Sequence, residues 1–142
     1  MAEYVRPTLD TKFHIDFDWW QQQKRSLRVH LQAHLCPGCR AQYADQPAED
    51  IDWVDPSTGE VKRIDRLWEV VRACCAQRDE AITSQTPFTA AVFLTFVAND
   101  NTPLTPLELH QKLFWRPAQT ILQTFSGRET FYGIRPAPGA KK

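Results

Sequence analysis

The spacing of apolar residues separates helices from strands along this chain. Leu27, Leu31 and Leu35 recur every fourth position, which stacks them on one helical face. Asp18 has the form of an N-cap with Gln21 as its capping-box partner, and Pro37-Gly38 predicts the end of this helix. Residues 1–14 read as extended, and the polar stretch 42–49 reads as a loop. Ile51-Asp52-Trp53-Val54 and Glu60-Val61-Lys62-Arg63-Ile64 then flank Asp55-Pro56-Ser57-Thr58-Gly59. Proline presets φ and glycine accepts the left-handed position, so the segment predicts a β-hairpin. Asp65 is placed to cap a second helix that carries Leu67, Val70, Val71 and Cys74 at i, i+3, i+4 and i+7.

After a polar link at 77–85, three helical signals follow closely. Thr86-Pro87 opens 88–98, which is apolar nearly all round and predicts a buried helix. Thr105-Pro106-Leu107-Glu108 is a second start with a capping box, and Leu104 can staple to Leu109 across it. Past Pro117, Ala118, Ile121, Leu122 and Phe125 form one stripe that ends at Gly127, and Phe131-Tyr132-Gly133-Ile134 is a short strand candidate. The fold class expected is α+β, mainly α. A helix–hairpin–helix unit at 1–78 is followed by a three-helix unit at 86–135 and a loose tail at 136–142.

This order of a buried helix, a helix opening Leu104-Thr105-Pro106-Leu107-Glu108-Leu109, a short turn, a third helix and a β segment resembles the winged helix-turn-helix superfamily over residues 86–135. The resemblance implies that the third helix is a recognition helix, with 131–135 part of the wing. It would present Gln119, Thr120, Gln123 and Thr124 outward, flanked by Arg116 and Arg128. Gln pairs with adenine edges, Thr contacts bases or phosphates, and Arg reads guanine.

Charge qualifies that picture. The 142-residue chain is net neutral, with 11 basic against 14 acidic residues in 1–85 (net −3) and 6 against 3 in 86–142 (net +3). The mildly basic back permits double-stranded DNA as a partner without requiring it, and few cations lie beside the third helix to neutralise phosphates. A protein partner or a homodimer therefore stands as the alternative, the helix-turn-helix acting as a packing module. No apolar run approaches the roughly 20 residues that span a bilayer, and Met1 to Asp10 lack a signal-peptide pattern, so no membrane partner and a cytoplasmic location are expected.

The four cysteines fall in two pairs, Cys36/Cys39 and Cys74/Cys75, with His30 and His34 one turn apart just upstream. In a reducing compartment a Cys-x-x-Cys motif suits metal or redox chemistry better than a disulfide. A redox motif of thioredoxin type opens a helix, whereas Cys36-Pro37-Gly38-Cys39 is predicted to close one, where the dipole disfavours a thiolate. Structural zinc is the expected cofactor, with an iron–sulfur cluster or no metal as alternatives. Cys36, Cys39 and Cys75 are the first three ligands, completed by Cys74 or His34. Neighbouring cysteines on a helix point about 100° apart, and Cys74 continues an apolar stripe that suits a core residue.

With five glycines there is no phosphate-cradling loop or nucleophile elbow, and the acidic run at 49–55 lacks the pattern of a calcium loop. A winged-helix DNA-binding regulator, not an enzyme, is the expected function. A non-catalytic interaction subunit stands second, and a metal- or thiol-dependent enzyme third.

Overall fold

A computed structural model describes residues 6–23, 26–43 and 45–137. The protein is α+β and mainly α. Strand β1 (Phe13–Ile15) leads into α1 (Phe17–Gln22), α2 (Leu27–Gln32) and α3 (Pro37–Tyr43). A hairpin of β2 (Asp50–Val54) and β3 (Val61–Asp65) joins them to α4 (Leu67–Ala73) and a short 3-10 turn, Cys75–Gln77. Then come α5 (Phe88–Ala98), α6 (Pro106–Lys112), α7 (Ala118–Phe125) and β4 (Ile134–Pro136).

The front of the chain departs from its predicted boundaries. The single helix expected from Asp18 to Leu35 is two, each with its own cap: Asp16 accepts from the Asp18 amide, and Ser26 from the Arg28 amide. Tandem glutamines at 21–23 have no apolar face to bury there, so the chain breaks and restarts. Pro37 does not end the region but opens α3, which occupies the front of the expected 42–49 loop. The hairpin pairs Asp50 with Asp65 through Val54 with Val61, within a residue of expectation. Asp65 accepts from the Leu67 amide at 2.8 Å while holding Arg28 in a fork at 3.0 and 3.1 Å.

Helix α5 is buried from Ala90 to Val97 and forms the centre of one core cluster. Phe13, Leu31, Trp68 and Val71 of the front segment pack in the same cluster as Leu109, Ile121 and Phe125 of the back. At the end of α5 the chain turns through two left-handed residues, Asp100 (φ 59°) and Asn101 (φ 61°), a conformation that Asp and Asn tolerate best among residues with a Cβ. Asp100 Oδ1 accepts the indole N–H groups of both Trp53 (2.9 Å) and Trp68 (3.0 Å). Asn101 is 2% exposed, and its amide both accepts from the Ile15 N–H and donates to the Ile15 carbonyl, each at 2.8 Å.

These bonds complete one edge of β1. On that edge Phe13 exchanges both backbone bonds with Leu104 (2.8 and 3.0 Å), and Asn101 serves Ile15 as a neighbouring strand would. On the other edge β1 pairs antiparallel with β4, Ile15 opposite Ile134. The strand expected at 131–134 as part of a wing is thus displaced. Tyr132 (φ 56°) and Gly133 (φ 79°) turn the chain, and the strand that follows joins β1 instead of forming a local hairpin. Of the tail expected at 136–142, Ala137 still donates to the Lys12 carbonyl at 2.8 Å, and 138–142 lie outside the described residues. Among the described residues no helix is long and apolar enough to cross a membrane.

Candidate metal centre

The start of α3 and the end of α4 bring all four cysteines together. Proline at the first position of α3 fits a helix start, because its missing N–H is one that needs no helical partner. The Cys36 carbonyl accepts the first helical bond, from Arg40 at 2.8 Å, so Cys36 stands at the cap and Cys39 in the first turn. The motif therefore opens a helix, and the sequence-based ground for ranking redox chemistry low does not hold in this geometry.

On the other side α4 stops at Ala73, and Cys74 leaves helical geometry at φ −127° and ψ −68°. Cys75 begins a 3-10 turn. The 100° divergence expected of neighbours on a continuous helix is removed by this break. The burial is also the reverse of expectation: Cys74 is exposed, whereas Cys75 is 3% exposed and packs in the core.

The four sulfurs lie within 4.8 Å of one another. Cys36 Sγ stands 3.9 Å from Cys74 Sγ, the Cys36 amide donates to Cys75 Sγ at 3.2 Å, and none of the four is in a disulfide. His34 is not one of this group. It lines a cavity of about 150 Å³ beside Cys36 and Cys75, with Arg78 and Glu80 on the same wall. His30 lies between the rings of Trp20 and Tyr132, with centroids at 5.4 and 4.3 Å, as part of an aromatic stack.

The Cys36 thiol is drawn down to about 6, chiefly because the Cys39 backbone N–H bonds to its sulfur. Burial pushes the Cys39 thiol well up, and the surrounding sulfurs add to this; burial likewise raises Cys75. One sulfur accepts charge readily, while burial first and the neighbouring sulfurs second keep the other two neutral. A cation removes that conflict, since a coordinating thiol is deprotonated outright. The cluster is compatible with a metal site.

The six residues proposed to face DNA lie on or beside α7. Gln119 and Gln123 are exposed one turn apart. Thr120 and Thr124 are half-buried, and the Thr124 hydroxyl donates to the Thr120 carbonyl at 2.8 Å, so it is engaged within the helix. Arg116 and Arg128 are exposed at the two ends, and the Arg116 guanidinium sits 5.2 Å over the Phe88 ring. Sequence reasoning did not single out Phe114, 74% exposed in the turn between α6 and α7, because a lone aromatic outside a periodic stripe carries no signal of its side.

Comparison of the chain with protein-family models, curated proteins and solved structures finds no match.

Proposed function

We propose that this protein holds one structural zinc ion through Cys36, Cys39, Cys74 and Cys75, and that the ion braces a C-terminal helix-turn-helix that docks on DNA. The observation that carries the metal reading is the 4.8 Å span of the four sulfurs. Zinc–sulfur bonds of about 2.3 Å place tetrahedral ligands about 3.8 Å apart, so a small contraction converts this cluster into a coordination shell. Thiolates on different irons of a cluster must stand further apart than thiolates sharing one ion. The compactness therefore favours a single ion over an iron–sulfur cluster. Four protein ligands leave no open position, which suits a structural site and not a catalytic one.

The DNA reading draws on the succession of α5, the Leu104 bridge, α6, α7 and β4, together with the exposed Gln119, Gln123, Arg116 and Arg128. The alternative, a protein partner on the same unit, draws on Phe114 and on Leu107, which is 44% exposed.

Metal analysis of untagged protein purified without chelator tests the first part. We expect one zinc per chain and no visible absorbance, with zinc lost in Cys39→Ser; iron with visible bands, or no metal, overturns it. For the second part, Arg116→Ala with Arg128→Ala should weaken binding to duplex DNA and flatten the salt dependence of log K by about 2. A double variant that binds every duplex like the parent overturns that mode of docking. A partner released by Phe114→Ala would favour the alternative.

A further inference from the structure

We infer that the Cys36–Cys74 pair is a modification site, a dithiol that peroxide converts to a disulfide with release of the metal; this rests on the zinc reading above. The four sulfurs are not equivalent. Cys75 is 3% exposed, and its sulfur is engaged by the Cys36 amide at 3.2 Å. Cys74 is exposed and caps the end of α4, its amide still donating to the Val70 carbonyl at 3.1 Å while φ −127° and ψ −68° turn its side chain off the helical path. Cys36 borders a cavity of about 150 Å³, roomy enough for a small oxidant, whose wall also carries Arg78, Glu80 and the nearly buried Cys75. The reachable pair is also a close one, its sulfurs 3.9 Å apart. A disulfide needs about 2.05 Å, so closing the bond brings the two sulfurs about 1.9 Å nearer.

The oxidant class is hydrogen peroxide, and the chemistry balances in two steps. The Cys36 thiolate attacks one peroxide oxygen, an S–O bond forms as the O–O bond breaks, and hydroxide leaves beside the Arg78 guanidinium. The Cys74 thiolate then attacks the sulfenic sulfur, the S–S bond forms, and a second hydroxide departs. Two thiolates lose two electrons in all, and one peroxide becomes two hydroxides that solvent protonates to water. Two of four ligands are thereby withdrawn. Cys39 and Cys75 alone do not satisfy a tetrahedral ion, and zinc leaves.

The experiment treats zinc-loaded full-length protein with one equivalent of hydrogen peroxide. Released zinc is followed with a chromogenic chelator, and the cross-link is mapped by peptide mass spectrometry. We expect one zinc released per disulfide, a mass loss of two hydrogens, a cross-link between Cys36 and Cys74, and recovery of the zinc form with thiol reductant and added zinc. Zinc retained through several equivalents of peroxide, or a cross-link that joins Cys39 or Cys75 instead, overturns the inference and leaves the zinc site standing. A chain with no zinc before peroxide is added overturns the zinc reading and this inference with it.

Discussion

Replacing Asn101 with alanine is the sharpest probe of how the two halves of the chain are joined. The substitution deletes two bonds of 2.8 Å and strands the N–H and C=O of Ile15, a residue 1% exposed. Leaving a buried polar group without its partner costs about 1–3 kcal/mol, so two cost about 2–6. Asn101 also sits at φ 61°, where a side chain that cannot bond locally is strained by roughly a further 1 kcal/mol. The expected loss is about 3–7 kcal/mol, a large part of the 5–15 typical of a domain. Asn101→Gly removes the same bonds without the φ penalty and should recover about 1 kcal/mol. Asn101→Asp keeps an acceptor for the Ile15 N–H but turns an oxygen on the Ile15 carbonyl and buries a charge, so it should be no milder than alanine. Urea unfolding of the three variants at matched m-values measures all of this. An alanine variant within about 1.5 kcal/mol of the parent would refute the reasoning, because the edge of β1 would then be satisfied by other groups.

Gly133→Ala should cost about 3 kcal/mol or more. Its Cβ would meet Trp20 Nε1 at 2.9 Å and the Asp16 carbonyl at 3.2 Å, at φ 79°; a thermal melt within 2 °C of the parent would contradict this. Asp65→Ala should cost about 2–4 kcal/mol in denaturant unfolding, since it leaves Arg28 without its fork and the Leu67 amide without its acceptor. Burial holds His14 below its ordinary value, so the unfolded chain binds the proton more readily than the folded one. The stability from its neutral ring is complete above the unfolded value near 6.5 and declines as pH falls below it. His14→Gln should flatten that acid limb of the urea midpoint, and an unchanged limb would assign it to other groups.

The parts legible in the sequence are those with local signals. The 55–59 turn, the Thr105–Glu108 capping box with both its bonds (2.9 and 3.1 Å), and the stripe of α7 each lie within one segment and emerge nearly in place. Pro37 shows how a correct signal can mislead. The same ring that cannot continue one helix is well suited to begin the next, and the residue alone does not say which. Cys74 and Cys75 exchanged their expected roles because α4 ends one residue before the pair, and helix ends are where periodicity loses its force. The pairing of β1 with β4 had no local signal at all. Three-residue strands that meet across more than a hundred positions are chosen by tertiary fit, and the side chain of Asn101, serving as a strand edge, is invisible to any pattern of apolar residues.

That same pairing governs how the chain can be made. Asp16 and Arg135, which meet across the β1–β4 seam, are 119 positions apart. At about 5–20 residues per second, a ribosome needs roughly 6–24 s to deliver the second strand after the first. Throughout that interval β1 is a nascent segment with apolar Phe13 and Ile15 and an unmatched edge, open to competing strands. Closure of the seam is then a late step in vectorial synthesis, since its loop-closure entropy must be met before the strands can pair.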